Sequence, residues 1–378
     1  MTANKKNIVI KEEFSSDKNK VNTSITNYAK RSEFIFLYDS RMANPNGDPD
    51  ENIPRMDPYS GRNLVTEYRL KRTIRDYFLR HHDNEIGNKI LIREELNQNN
   101  KRKTIGEVVG LIDRNKTSNQ NNDKNKNKSN DMRIVTENII NDHIDVRLFG
   151  LMLLDDGIAV KKLGPIQFSI GISLNKVQPI LIRNTRIVPT KGDAESGTFG
   201  EKTILKYSLI LFHGFLNQIV AEKETKLTED DVMKMMKAIW YGTNELSTSS
   251  KYGQMSRFLL RLVYKNENDY IGDLDKNLIL ENFNDQNIEY ILEAQIDATK
   301  LFEVLEENKN IIEMIQYACH PKLEFKLENK EEKKVEKKNV KEYISIWSRN
   351  NNIPLFDILI KQEEKNNNIN NKEKQNLQ

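Results

Sequence analysis

Between Asp39 and Arg75 the chain gathers the residue types that hold phosphate and ribose. Side-chain amides stand at Asn44 and Asn46, and cationic groups at Arg55, Arg69, Lys71, Arg72 and Arg75. An arginine fork matches two phosphate oxygens at once, and an asparagine bonds phosphate or ribose without demanding a base. A second set lies far along the chain: Ser249, Lys251 and Gln254 on one loop, with Arg257 just beyond. Hydroxyl, ammonium and amide on a loop beside a sheet suit the same backbone cradle. Neither set places a nucleophile beside a base. The chain has no G-x-x-x-x-G-K-[ST], no G-x-G-x-x-G and no G-x-S-x-G.

Strand, loop and helix must position the first set. Phe34 to Tyr38 is an apolar run with the length of a buried strand. Asn44-Pro45, Asn46-Gly47, Asp48-Pro49 and Ser60-Gly61 then mark turns in a long loop, and long structured loops are usually functional. Asn44 and Asn46 precede Pro and Gly, so turn-building is their alternative role. A helix is expected from near Thr66, whose hydroxyl is a candidate N-cap, with Leu70, Ile74, Tyr77 and Phe78 on its apolar face. From Arg62 to Arg80 six basic residues oppose only Glu67 and Asp76. A solvated helix face is the plain reading of such charge. The loaded loop ahead of it favours phosphate contact.

Further along, helical turns are expected at Glu94 to Leu96 and Ile105 to Leu111, inside a polar region from 83 to 143 that contains the low-complexity run 113 to 131. Leu148 to Leu154 reads as a strand, Asp156-Gly157 as a hairpin turn, and Ile158 to Val160 as its return. Ile166 to Leu174 is the next strand. A β-rich arm leaves at Val177 and returns from Ile204 to Phe212. Its tip, KGDAESGTFG, has few apolar residues with which to fold on its own core. Thr228 to Asp231 is a capping-box start, Val232, Met235, Met236, Ile239 and Trp240 make a core stripe, and Gly242 is expected to end that helix. Met255 to Tyr264 alternates as a strand. The order fits a β-α-β-β-α-β ferredoxin-like unit, α+β in class, although no RNP1-type aromatic string is present. The expected organisation is an N-terminal extension (1–30), a palm with insertions (31–265), a C-terminal α/β elaboration (266–360) and a disordered tail (361–378).

The chain has 378 residues, 37% of them hydrophobic, and 59 basic against 56 acidic residues leave a net charge of only +3. Nucleic-acid binding must therefore come from local patches. The single cysteine, Cys319, excludes an internal disulfide and a Cys-rich zinc site. Of His81, His82, His143, His213 and His320 only the first two are close in sequence, and helix neighbours point apart. His213 is expected to be a hydrogen-bonded structural histidine. An EF-hand beginning at Asp48 fails at Ile53 and Tyr59, where Gly and Glu are required. No cofactor and no metal are expected. No apolar run reaches membrane-span length and the N-terminus lacks a signal-peptide core, so a cytoplasmic protein is expected.

The string ANPNGDP, with Asn52, Pro54-Arg55, Gly61, Val65-Thr66 and Arg69 to Arg72, resembles the opening signature of one CRISPR family. That family is the backbone subunit of type I surveillance complexes (Cascade), the Cas family numbered seven, and the likeness is closest to its subtype I-B branch. Asp145 to Gly150, Gly164 to Phe168, His213 to Phe215 and Ser250 to Gln254 resemble it in the same order, over roughly residues 32 to 265. The resemblance implies an RRM-like palm with fingers (83–143) and a thumb arm (178–203). It also implies a non-catalytic subunit that polymerises along CRISPR RNA in a helical filament and presents the spacer to target DNA. The partners it implies are CRISPR RNA, the target DNA strand, further copies of the chain and other Cascade subunits. These are the 5′-end capping subunit, the large subunit and the guide-processing endonuclease. Ile187, Val188 and Phe199 are the apolar residues around the arm's tip, and Phe199 is the candidate wedge between guide bases. Related type III subunits cut RNA with a loop aspartate, so Asp39, Asp48, Asp50 and Asp57 carry an alternative ribonuclease reading. All four are expected in turn-forming contexts.

Overall fold

The computed structural model describes residues 27–360 apart from 84, 98, 109–126, 156–157, 186–198 and 330–333. The expected N-terminal extension up to residue 26, most of the low-complexity run, the Asp156-Gly157 turn, the arm tip with Ile187 and Val188, and the tail from 361 lie outside the described residues.

The chain opens with β1 (Ser32–Ala43), β2 (Arg62–Val65) and α1 (Glu67–His81), followed by α2 (Ile105–Val108), α3 (Asn127–Asp142) and α4 (Ile144–Phe149). A run of strands comes next: β3 (Gly150–Asp155), β4 (Ile158–Leu163), β5 (Ile166–Phe168), β6 (Gly171–Lys176), β7 (Pro179–Thr185) and β8 (Phe199–Leu216). Then come α5 (Gln218–Val220), α6 (Glu229–Asn244) and β9 (Gln254–Tyr264). The C-terminal part holds β10 (Ile279–Leu280), β11 (Ile296–Asp297), α7 (Thr299–Glu307) and β12 (Ile312–Cys319). It closes with β13 (Glu324–Asn329), β14 (Lys334–Asn339), α8 (Val340–Asn350) and β15 (Leu355–Asp357).

The main sheet runs β15-β12-β9-β1-β8-β6-β2, with β5 and β7 also paired to β8. β1 is antiparallel to both β8 and β9, whereas β15 is parallel to β12. A second sheet orders β10-β11-β13-β14, and β3 with β4 forms a separate pair. The fold is therefore α+β with mixed sheets. Residues beyond 265 continue the main sheet through β12 and β15.

β1 sits inside this sheet with both faces covered, so Phe34 to Tyr38 reads as an unbroken apolar run. The two-residue period divides it. Ile35 and Leu37 share a sheet face with Phe258, Leu260 and Leu262 of β9 and pack in one core with a layer from the C-terminal part that includes Leu301, Phe325, Ile344 and Trp347. Phe34, Phe36 and Tyr38 face Leu70, Ile74 and Phe78 of α1 and Val232, Met235, Met236, Ile239 and Trp240 of α6. A third, smaller core joins Leu91, Ile139, Ile140, Val146, Leu151, Leu153 and Val160.

Polar side chains lock these layers. Arg147 donates to both carboxylate oxygens of Asp231 at 2.9 and 2.8 Å, and also to the carbonyls of Gly87, Ile140 and Asn141. Asp231 is at the same time half of the Thr228 capping box of α6. Asp145 accepts from the backbone N–H groups of Leu91 and Ile92. Glu33 is fully buried and accepts from His213, Tyr264, Ile271 and Gly272. Burial opposes its charge, yet the bonds from His213, Tyr264 and the two backbone amides hold its pKa below the ordinary carboxylate range.

Several local expectations change. Leu148 and Phe149 close α4, and the strand begins only at Gly150, whose φ of 79° turns the chain. Leu96 forms a bridge with Arg102, and no helix spans Glu94 to Leu96. The expected strand from Ile166 to Leu174 is two strands, β5 and β6. Gly242 does not end α6: a Cβ there would lie 3.1 Å from the Thr73 carbonyl of α1, so glycine permits the close approach of the two helices.

Candidate nucleic-acid interface

The two sequence-distant sets meet at one end of the main sheet. Thr66 caps α1 by accepting from Arg69 N–H, and Asn46 Oδ1 accepts from both the N–H and the hydroxyl of Thr66, each at 2.9 Å. Asn44 is buried, donating its side-chain amide to the Asn52 carbonyl and its backbone N–H to the Ser250 carbonyl, both at 2.7 Å. Both asparagine side chains thus hold the loop itself. Lys251 returns the connection, donating to the carbonyls of Asn44 at 2.6 Å and Pro45 at 3.3 Å. Gly253, at φ 104°, lets its carbonyl accept from Arg41 N–H at 2.9 Å, and Gln254 donates to the Lys251 carbonyl. The β1–α1 loop and the α6–β9 loop are stapled together.

Two cations converge on this staple without a carboxylate. Arg69 is half-buried and forms no side-chain hydrogen bond or ion pair among the described residues. Burial lowers its pKa, while the Asp76 carboxylate acts on it only at a distance. Lys251 bonds only to carbonyl oxygens, and burial, helped by the nearby Arg69 charge, pushes its pKa down to about 8. Buried charges ordinarily find a carboxylate or shed the charge. Arg69 lines a small notch with Tyr38, Thr73 and Gln254, and its charge reaches Lys251, so an anion held beside the two would relieve both.

The other candidates divide by what already holds them. Arg72 is exposed and pairs with Asp76 at 2.6 Å. Arg75 is turned inward onto Asp145 at 2.9 Å. Lys71 donates to Gln167 and lies 5.3 Å from the Phe149 ring centre. Arg55 has a buried Nε without a partner. Ser249 accepts from Lys202. Arg257 pairs with Asp39 at 2.8 Å, and Tyr207 donates to the same carboxylate oxygen. Phe199 opens β8 with its backbone opposite Thr185.

The aspartates are held too. Asp48 accepts three backbone N–H groups, from Asp50, Glu51 and Asn52. Asp57 holds Tyr59 and Ser60. Asp39 does not lie in a turn: it is inside β1, buried, with burial raising its pKa against the pull of Arg257 and Tyr207. Sequence spacing gave no sign of the Asn46–Thr66 link or of the carbonyls that hold Lys251. Among the described residues no three His, Cys, Asp or Glu side chains form a group that could hold a metal ion. No helix among them is long and apolar enough to cross a membrane.

A family model described as CRISPR-associated protein Cas7 matches residues 30–299. A protein of Haloferax volcanii, "CRISPR-associated protein Cas7", is 28% identical over 319 residues, covering 79% of this chain and 89% of the relative. Among solved structures, a chain of a "CRISPR RNA-guided surveillance complex, pre-nicking" aligns with 76% of this chain and 92% of its own length, at 13% identity and a TM-score of 0.46. A chain of another "CRISPR RNA-guided surveillance complex" covers 76% of this chain and 88% of its own, at 13% identity and a TM-score of 0.41.

Proposed function

The chain belongs to the family of CRISPR-associated protein Cas7, and from that premise we propose that it is a non-catalytic, RNA-binding backbone subunit of a type I, subtype I-B surveillance complex. It polymerises along the CRISPR RNA, holds the phosphate backbone and leaves the spacer bases free to pair with target DNA. Protein then reads backbone and shape while base pairing reads sequence. The observation that carries this reading is the convergence of Arg69, in the first turn of α1, and Lys251, on the α6–β9 loop, two partly buried cations neither of which bonds a carboxylate among the described residues.

The strand order β9-β1-β8-β6, with α1 following β1 and α6 preceding β9, supports a ferredoxin-like palm for residues 31–265. The packing of Leu91, Ile139 and Ile140 in the small core supports a fingers-type unit at 83–143, and the β7–β8 pairing supports a thumb arm at 178–203. Phe199 is the wedge residue of that arm. Its partners in this reading are CRISPR RNA, the paired DNA strand, neighbouring copies of the chain and the other Cascade subunits, in the cytoplasm.

Purification from cells that express a CRISPR RNA tests the proposal. The wild-type chain is expected to carry RNA, seen in its absorbance ratio and its size, and the Arg69→Ala, Lys251→Ala double variant is expected to come away free of it. A nucleic-acid-free wild type overturns RNA binding. Regularly spaced cuts in complementary RNA with a divalent metal overturn the non-catalytic role.

A further inference from the structure

Beside the staple lies an open cleft of about 750 Å³, within the size range of small-molecule sites. It is walled by the end of β1, the start of β9 and residues 290–292 and 320–322 of the C-terminal part. Gln254 lines both this cleft and the Arg69 notch, and Tyr252 on the cleft wall directly follows Lys251 in the chain, so the cleft adjoins the staple.

The walls are chemically uneven in an informative way. Tyr252 is 77% exposed, Met42 49%, Tyr290 44% and Met255 40%, so large apolar side chains from three parts of the chain meet solvent in one place. Scattered exposed apolar residues need no explanation, but a shared cleft of them marks a binding surface. The charge balance is one-sided. Among the described residues Asp39 is the only carboxylate lining the cleft, and Arg257 and Tyr207 already bond to it. Arg41 and Lys322 line the cleft and form no ion pair among the described residues. Arg257 is 9% exposed, and its Nε is buried without a partner.

Aromatic rings beside unpaired cations and no free carboxylate are the composition that holds single-stranded nucleic acid: bases stack on the rings and phosphates meet the cations. We infer that this cleft seats an unstacked base of the RNA held at the Arg69–Lys251 cradle, with Tyr252 and Tyr290 as stacking surfaces and Lys322 and Arg41 on the flanking phosphates. The inference rests on the RNA-binding reading of that cradle. It gives the C-terminal part a share in RNA binding.

Affinity of the full chain is measured for two single-stranded RNAs of equal length, one with ordinary bases and one with abasic sites. For the Tyr252→Ala, Tyr290→Ala double variant, affinity for ordinary RNA is expected to fall about tenfold or more. Its affinity for abasic RNA should equal that of the wild type, and its salt dependence should be unchanged because no phosphate contact is lost. Lys322→Ala should instead weaken both RNAs and flatten the salt dependence. A double variant that binds both RNAs as the wild type does overturns the base cleft and leaves the cradle standing. Equal loss on both RNAs also overturns it, since the rings would then act through the fold. Unchanged RNA binding with lost self-assembly assigns the cleft to a protein side chain and likewise overturns it. If the wild type binds neither RNA, the cradle reading fails and the cleft falls with it.

Discussion

The ammonium of Lys251 donates to the carbonyl of Asn44 across 2.6 Å, joining loops that lie 207 residues apart in the chain. This contact fixes the position of the charge, and its neighbour Arg69 helps to weaken the ammonium's hold on its proton.

RNA affinity should therefore fall as pH rises through about 8, the pKa to which Lys251 is lowered. Below that pH the ammonium is charged and meets a phosphate; above it the contact disappears, a loss of about tenfold for one charge-assisted hydrogen bond. Lys251→Arg should give a flat profile over the same range. Stability takes the opposite sign. Between about 8 and the ordinary value of 10.5 the unfolded chain binds the extra proton, so RNA-free protein gains stability as pH rises through that window. Binding titrations and denaturant melts at matched pH check both slopes.

Arg69→Ala should weaken binding to every RNA sequence alike. The slope of log affinity against log salt should flatten by about 0.7, the value for one phosphate on a single strand. Arg72→Ala should do less, because Arg72 already pairs with Asp76. Filter-binding at several salt concentrations separates the two.

Gly253→Ala would place a Cβ 2.3 Å from the Arg41 carbonyl at a φ of 104°. The loop must either lift or strain, at a cost of about 1–3 kcal/mol. A lowered melting temperature together with weakened RNA binding is expected. Normal melting with normal binding would mean that the loop is not held in this way.

Arg147→Ala leaves the Asp231 carboxylate and three backbone carbonyls without their shared donor. Breaking such a buried pair should destabilise the fold by about 3–5 kcal/mol, measured by denaturant unfolding. Arg147→Lys should recover only part of this, since one ammonium cannot reproduce the fork.

Much of the frame could be read from the sequence because its signals are local. The Phe34 to Tyr38 run, the Thr66 cap and the capping box at Thr228 depend on neighbours within a few residues, and each forms as expected. The errors arose where a distant partner decides. Gly242 reads as a helix stop until α1 is seen lying against it. Arg75 reads as a free cation until Asp145, 70 positions on, takes it. Asp39 reads as a turn residue until Arg257, 218 positions on, draws it into the sheet.

The staple between the two loops runs largely through main-chain atoms: Asn44 N–H to the Ser250 carbonyl, Arg41 N–H to the Gly253 carbonyl, and Lys251 to two carbonyls. Main-chain groups are the same whatever side chain they carry. Positions such as Ser249 and Tyr252 can therefore be exchanged without reshaping the cradle. The scaffold and the side chains it displays are free to evolve at different rates, and an engineer could retune one while leaving the other alone.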